Sequence, residues 1–409
     1  MRRIERMNCV KAPKQYTGYR SFQYLRANLD YEAFALAAET DRVPSHPVSC
    51  TREQEARVQT LLDNVLVISL HDHPTIVPED PREIFRYRRQ GRDFTGYEGL
   101  SRSKTDVIFD NMNDGTALIT SKSGWKWDDI LYDMGMRLCD FAHQDFVMVV
   151  RTIADIQQAY DSGRVGIVLT LEAATPIENE IDRLDILYGL GVRCMGLVYS
   201  EANALGSGLK EARDGGLTQL GRQAVRRMNQ LGIAIDVAHT GDQTALDAID
   251  VSEKPIFITH SGARALWNTA RMKPDDVIKA CAARGGVFGV EAAPHTTLTE
   301  RHKSHSIESV MEHFEYIANL VGLDHVAFGP DTLFGDHVAL HHAFAQQLSI
   351  ESAHVGPAFE EVPFVDGIEN PGENFHNITR WLVAHGYSDG EIAKVLGQNI
   401  LRVLQQVWV

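Results

Sequence analysis

Four histidines of the chain lie directly after short apolar runs. His71 and His73 follow the run VISL, His239 ends IAIDVAH, and His260 ends PIFITH. Residues i and i+2 of a strand point to the same side, so the imidazoles of His71 and His73 can reach one ion. Neutral imidazole is a preferred ligand of zinc. The spacing therefore predicts a metal site at the ends of these runs.

Two carboxylates occupy equivalent positions, since Glu172 ends VGIVLTLE and Asp331 lies just past HVAFG. Any one of the six residues alone fits a buried histidine or a capping carboxylate equally well. Together they lie at the ends of five apolar runs and predict a single two-metal site. Two divalent ions, most suitably zinc, would share Glu172 and a hydroxide as bridges, because their combined charge lowers the pKa of water to near neutrality. Asp331 would then be the general base.

The apolar runs themselves predict the scaffold. Seven of them read as strands buried on both faces: 65–70, 165–171, 194–199, 233–238, 255–259, 286–293 and 325–329. Amphipathic helical segments separate them, and this βα alternation favours a parallel sheet with right-handed crossovers. We expect an α/β fold, a (β/α)8 TIM-type barrel, in which catalytic residues lie at the carboxyl ends of the strands. The eighth strand is not evident.

The remaining segments are assigned by composition. Residues 1–50 are polar and mixed and are predicted to be an N-terminal extension, whose role stays open. The barrel is predicted to span 51–409, opening with a helix in TREQEARVQTLLDN that Thr51 caps. The stretch 82–135 is too long for an ordinary βα connection and reads as an insertion after the first strand, near the active-site mouth.

Composition excludes several classes of protein. The 409 residues carry a formal charge of -15, which repels nucleic-acid phosphates. The basic N-terminus has no apolar stretch behind it and no window is long enough to span a bilayer, so we expect a protein without a membrane segment. The five cysteines form no C-x-x-C pair, which favours reduced thiols and a cytoplasmic location. These are Cys9, Cys50, Cys139, Cys194 and Cys281.

From about Asp63 to Val409 the chain resembles the membrane (renal) dipeptidase family, zinc metallopeptidases of the amidohydrolase-type barrel. The resemblance rests on four stretches in the same order. They are LEAATPIENEIDRLDILYGLGVRCMGLVYS, the segment from GLTQLGRQAVRRMNQLG through IAIDVAHTGDQTALDAIDVSEKPIFITHSGARAL, GLDHVAFGPD, and VDGIENPGENFHNITRWLVAHGYSDGEIAKVLGQNILRVL.

The resemblance implies a role for each candidate residue. Glu172 would bridge two zinc ions, with His71 and His73 completing one and His239 and His260 the other. Asp331, in GPD, matches the family's catalytic aspartate. Arg271 matches an arginine that binds the substrate carboxylate, a role suited to a bidentate guanidinium. Family members commonly pair, so a homodimer is expected.

The chain departs from the family pattern at two positions. The first motif is usually His-x-Asp, whereas this chain has His71, Asp72 and His73, which removes one negative charge because the parity of Asp72 directs it away. The family's carbonyl-polarising histidine after the third strand is replaced by Tyr199. A phenol can still donate a hydrogen bond to a developing oxyanion, so Tyr199 is a candidate for both catalysis and substrate binding.

Three functions fit these residues. The first is a zinc hydrolase that cleaves a dipeptide or related small amide, with Asp331, Glu172 and Tyr199 as catalytic residues and Arg271 binding a small-molecule substrate. His337 follows Asp331 closely enough to line the same mouth. The second is hydrolysis of a lactone, ester, carbamate or non-peptidic amide, which the two departures and the insertion favour. The third, a binding protein with a vestigial site, is disfavoured by the retention of all six ligands.

Overall fold

A nearly closed barrel of parallel strands forms the centre of the protein. The computed structural model describes residues 11–112, 125–294, 296–345, 357 and 360–408. Within that part of the chain eight parallel strands pair in sequence order: β1 (Ile68–Asp72), β2 (Val107–Asn111), β3 (Val165–Leu171), β4 (Val192–Gly196), β5 (Ala234–Asp236), β6 (Phe257–Ser261), β7 (Val287–Val290) and β8 (Val326–Phe328).

The ends of this sheet meet through the chain that follows β8. The backbone N–H of Asp331 donates to the carbonyl oxygen of His71 (3.0 Å), and the N–H of His73 donates to that of Thr332 (2.9 Å). These bonds bring the first and last strands together at their carboxyl ends. The predicted (β/α)8 barrel is confirmed, and these two bonds place two candidate ligand segments side by side.

Helices surround the barrel and short elements lie at its edges. The helices of the described residues are α1 (Arg52–Leu62), α2 (Ile84–Arg89), α3 (Tyr97–Arg102), α4 (Trp127–Phe141), α5 (Ile153–Ser162), α6 (Arg183–Leu190), α7 (Gln219–Leu231), α8 (Asp242–Val251), α9 (Asp275–Ala283), α10 (Ile307–Val321), α11 (His337–Ala345), α12 (Asn374–Ala384), α13 (Asp389–Ala393) and α14 (Asn399–Val407). A two-stranded ribbon pairs Thr75–Ile76 with Phe94–Thr95, and the strand Val147–Val149 pairs with β3.

Helix α1 begins where the sequence predicts. The Thr51 side chain accepts a hydrogen bond from the Gln54 N–H, and the Gln54 side-chain oxygen accepts one from the Thr51 N–H. This capping box satisfies amide groups that have no partner within the helix. Glu53 and Glu55 lie in the first turn, where their charge complements the helix dipole.

The eighth strand lies inside the stretch that the sequence analysis treats as an insertion. Strand β2 occupies 107–111 and is followed by α4 from Trp127, so much of 82–135 belongs to the barrel repeat; residues 113–124 lie outside the described part. The run VIFDN has only three apolar residues in a polar context. It is nevertheless buried along its whole length, because packing between neighbouring strands outweighs weak local preference.

Residues 11–50 pack against the barrel as an irregular arm. The Lys11 ammonium lies 2.8 Å from Asp106 just before β2, and the hydroxyl of Tyr19 donates to Asp140 on α4 (2.6 Å). Phe22 is completely buried. The described part of this extension therefore covers the side of its own barrel.

The described residues give two further observations on thiols and helices. Cys50, Cys139, Cys194 and Cys281 carry free thiols, and Cys9 lies outside the described part. None of the helices in the described ranges combines the length and the apolar character needed to cross a membrane.

Candidate metal centre and active site

The six candidate ligands come together at the carboxyl end of the barrel. All six are buried, with 0 to 8% of their surface exposed. They belong to β1, β6 and the segments that follow β1, β3, β5 and β8: His71, His73, Glu172, His239, His260 and Asp331. The parallel strands therefore deliver side chains that are up to 260 residues apart in sequence to a single rim.

One carboxylate oxygen of Glu172 is the centre of the first group. Its Oε1 lies 3.1 Å from Nε2 of His260 and 3.4 Å from Nε2 of both His71 and His239. Nε2 of His239 and Nε2 of His260 are 3.0 Å apart. Three imidazole nitrogens thus face one carboxylate oxygen.

The second group shares His71 with the first. Nε2 of His73 lies 3.0 Å from Oδ1 of Asp331 and 3.3 Å from Nε2 of His71, which itself is 3.5 Å from the same Asp331 oxygen. The rings of His71 and His260 are stacked, with centroids 3.7 Å apart. Nε2 of His71 therefore lies within 3.5 Å of both carboxylates, those of Glu172 and Asp331.

The donor set fits divalent metal ions. Two nitrogen ligands at 2.0–2.1 Å from a tetrahedral zinc ion lie about 3.3 Å from each other, close to the nitrogen and oxygen separations found here. The ligand atoms of His71, Glu172 and His260 lie within 4.8 Å of one another, as do those of His71, His73 and Asp331. These two sets could each hold an ion, with His71 near both.

Burial and neighbouring groups also shift the pKa values of the candidate ligands toward the charge states that metal binding requires. It lowers the pKa of His71, and lowers the pKa values of His239 and His260 well below the usual histidine value. Burial acts in the opposite direction on the pKa of Asp331, but His337 and the hydrogen bonds from His71 and His73 outweigh it and hold that pKa well below its ordinary value. The imidazoles are therefore neutral and Asp331 is ionised, as metal ligands must be.

Glu172 is positioned by Asn111, which the sequence analysis missed. The Asn111 amide donates to Oε2 of Glu172 (2.5 Å), and its oxygen accepts from the Glu172 N–H (3.2 Å). On the other side, a Cβ at Gly196 would lie 1.9 Å from the Glu172 carbonyl oxygen. Only glycine at this position lets β4 pack this closely against the backbone of Glu172. Asn111 is the last residue of β2. Recognising that strand in the sequence would have placed Asn111 at the carboxyl rim of the barrel.

Asp72 points away from the candidate ligands, in agreement with strand alternation. Its Oδ2 accepts from Ser69 (2.6 Å) and Asn374 (3.0 Å), and its Oδ1 accepts from the N–H and hydroxyl of Thr332 (2.8 and 2.7 Å). Burial raises its pKa to about 6 against these hydrogen bonds. Asp72 therefore ties β1 to the segment after β8 and to α12.

A third carboxylate lies at the same rim and was also missed. Glu291 follows β7, is completely buried, and has a carboxylate oxygen within 4.8 Å of the ligand atoms of His260 and Asp331. Its Oε2 lies 2.5 Å from Nη2 of Arg271. Burial raises the pKa of Glu291 while Arg271 opposes that rise. Arg271, which the family resemblance implies as a substrate-binding residue, therefore lies beside the candidate ligands and has the Glu291 carboxylate at its guanidinium.

Two other predicted residues line the same region. The Tyr199 ring stacks on His239, with centroids 4.1 Å apart, and makes a T-shaped contact with the Trp125 ring at a centroid distance of 5.0 Å. His337 begins α11, and its Nε2 is 3.8 Å from Oδ1 of Asp331. Both side chains are more than nine-tenths buried. The structure thus gathers every residue that the sequence analysis named for the site.

A parallel barrel that gathers buried histidines and carboxylates at its carboxyl rim defines the chain as an enzyme of the (β/α)8-barrel class. Residues 131–341, just over half of the chain, match the membrane dipeptidase family, peptidase family M19. The chain belongs to this family. The resemblance described above is therefore confirmed.

Individual relatives agree with that assignment. Dipeptidase tcpJ of Claviceps purpurea is 26% identical over 268 residues, covering 65% of this chain and 56% of the relative. Dipeptidase aclJ of Aspergillus oryzae is 27% identical over 267 residues, covering 64% and 57%. The chain thus spans somewhat more than half the length of these curated relatives.

Solved structures share the fold over nearly their whole length. An amidohydrolase from Pseudomonas aeruginosa has a TM-score of 0.69 and 26% identity, covering 86% of this chain and 99% of the other. The probable dipeptidase PvdM of the same organism has a TM-score of 0.68 and 20% identity, covering 88% and 99%. At 20% identity, the likeness to PvdM establishes the shared fold alone.

Proposed function

We propose that this protein is a hydrolase that uses two divalent metal ions, most suitably zinc, to cleave a dipeptide or a related small amide. The observation that carries the proposal is the arrangement of three neutral imidazoles, of His71, His239 and His260, around one oxygen of Glu172, with Asp331 and His73 adjoining. Membership of the dipeptidase family supports the same reaction class.

Each ion would have its own ligands and share Glu172. His71, His73 and Asp331 would hold one ion, and His239 and His260 the other. When bound, the metal ions supply an activated water and polarise the scissile carbonyl. Dry surroundings favour this chemistry, because electrostatic interactions strengthen when water is excluded.

The other side chains would move protons and hold the substrate. Asp331, ionised and within reach of the site, takes a proton from the attacking water and passes it to the leaving nitrogen. Tyr199 donates its hydroxyl proton in a hydrogen bond to the oxygen that gains charge in the transition state. Arg271, Tyr199 and His337 would contact the substrate.

A second substrate class is favoured by a specific observation. Glu291 already pairs with Arg271, whereas a dipeptide's carboxylate would need that guanidinium. Together with His73 and Tyr199, this pairing favours an ester, lactone, carbamate or non-peptidic amide as the alternative substrate. The metal-ligand residues and proton transfer would be unchanged.

The test is metal removal followed by a substrate panel. Chelator-treated protein should lose turnover and regain it when zinc is added back, with metal content measured at each stage. The panel should include L,L and L,D dipeptides beside esters, lactones and N-acyl amides. Full activity in chelated protein would refute the two-metal mechanism. Substoichiometric metal with no hydrolysis of any compound would instead indicate a vestigial site.

The sequence and the family predict that the metal is zinc, that the protein forms a homodimer and that it is located in the cytoplasm. Elemental analysis, sedimentation and cell fractionation would test them in turn.

A further inference from the structure

The guanidinium of Arg271 is fixed by protein groups on two sides. Its Nη2 lies 2.5 Å from Oε2 of Glu291, and its Nη1 donates to the carbonyl oxygen of Ala238 (3.4 Å), the residue before the ligand His239. Only 4% of the surface of Arg271 is exposed. The cation beside the metal centre therefore has a resident buried counter-ion.

Glu291 is held as firmly as its partner. Its Oε1 accepts a short hydrogen bond from the hydroxyl of Thr296 (2.5 Å), and the hydroxyl of Thr297 lies 3.4 Å away. The residue directly follows β7, so its backbone is fixed by the barrel, and none of its surface is exposed. Movement of Glu291 away from Arg271 would break these contacts and leave two unpaired charges buried.

The pair changes which substrate ends can bind beside it. A substrate carboxylate placed on Arg271 would lie close to the Glu291 carboxylate in a water-excluded rim that already contains Glu172 and Asp331. Like charges at short range in such surroundings repel strongly. An uncharged carboxamide or ester can instead accept a hydrogen bond from the guanidinium without adding negative charge.

We propose that Glu291 is a specificity-determining residue, which neutralises Arg271 and makes the leaving-group side of the site select substrates without a free carboxylate. This inference rests on the proposed hydrolase function and narrows its substrate class to capped dipeptides, amides and esters. Glu291 acts on the substrate through Arg271 and by its own charge. It is not required to transfer a proton.

The test compares matched substrates in one enzyme preparation. The kcat/KM values for alanyl-alanine and for its C-terminal carboxamide are measured with zinc-loaded protein, in both L,L and L,D forms. Their ratio cancels differences in folding and metal content. The wild type should prefer the carboxamide, and Glu291→Gln should shift the ratio toward the free carboxylate by about tenfold or more, equivalent to about 1.4 kcal/mol.

Two variants separate charge from packing. Glu291→Asp keeps the negative charge and should restore the wild-type preference, while Thr296→Val removes a hydrogen bond but neither charge and should leave the ratio within about twofold of wild type. A wild-type preference for the free carboxylate, or a ratio that Glu291→Gln does not change, would overturn the inference.

A binding measurement decides the inference independently of turnover. Calorimetry with alanine and alaninamide as ligands should give tighter binding of the amide to the wild type and a reversal in Glu291→Gln. If neither dipeptide substrate is hydrolysed, the proposed dipeptide and amide hydrolysis fails, while the calorimetric order still confirms or refutes the charge selection.

Discussion

The carboxamide of Asn111 holds both the side chain and the backbone of Glu172. Its nitrogen donates to Oε2, and its oxygen accepts from the Glu172 N–H. This leaves Oε1 as the oxygen that faces His71, His239 and His260. A residue that does not touch the ion positions therefore fixes the orientation of the proposed bridging ligand.

Replacing Asn111 should weaken metal binding. In Asn111→Ala, Glu172 loses its two orienting hydrogen bonds, and metal affinity should fall about 10- to 100-fold, the usual cost of losing such a supporting contact. Competition with a chromogenic chelator measures the affinity. Asn229→Ala, which also removes a buried, hydrogen-bonded asparagine, should leave it unchanged. Equal affinities in wild type and Asn111→Ala would contradict the supporting role.

The sequence predicts the barrel and its candidate ligands for one physical reason. Strands buried on both faces form continuous apolar runs, and a polar residue that ends such a run stands out, as His260 and Glu172 do. In a parallel barrel all carboxyl ends lie on one rim, so finding the strand ends is nearly enough to predict which side chains gather.

The supporting residues are less visible because their partners are distant in sequence. Asn111 ends a strand with only three apolar residues, and its partner lies 61 positions away. Glu291 ends an evident strand but is a single carboxylate whose meaning depends on Arg271. That pairing arises only when the chain after β6 folds back over the rim. Local patterns carry no information about such contacts.

Asp331→Asn should abolish most turnover without disrupting the barrel. Asp331 adopts a left-handed backbone conformation (φ 61°), which asparagine tolerates better than alanine does. Loss of a general base should lower kcat about 10²- to 10⁴-fold. The rate is measured in excess zinc, with bound metal determined in parallel. Recovery of the rate once metal occupancy is restored would leave Asp331 a ligand only.

Tyr199→Phe separates the hydroxyl of Tyr199 from its ring. Phenylalanine keeps the stacking on His239 and the contact with Trp125 but cannot donate a hydrogen bond. Removal of an oxyanion donor should lower kcat about 10²- to 10³-fold with little change in metal content. Tyr199→Leu, which removes the stacked ring as well, should additionally reduce metal affinity. If Tyr199→Phe retains the wild-type kcat, the residue serves packing alone.

His313 makes the protein sensitive to acid at a point away from the proposed ligands. Its Nδ1 accepts from the Ala263 N–H (2.9 Å) and its Nε2–H donates to the Leu298 carbonyl (2.8 Å), an arrangement that only the neutral ring can make. Burial lowers the pKa of His313 to about 4, against the opposing effect of the Leu298 hydrogen bond.

The stability contributed by neutral His313 should be lost as the pH falls. Below the unfolded pKa of about 6.5 the unfolded chain binds a proton that the folded protein excludes, so the free energy of unfolding decreases from that pH down to the folded pKa. At pH 5 the cost from this residue is about 2 kcal/mol. Denaturant titrations at pH 7 and 5 should therefore show that the free energy of unfolding decreases less in His313→Gln than in wild type, by that amount.

Other histidines contribute equally to both proteins, so their effects cancel in this comparison. His143→Gln, at an exposed position, serves as the control, and identical pH dependence in wild type and His313→Gln would contradict the prediction.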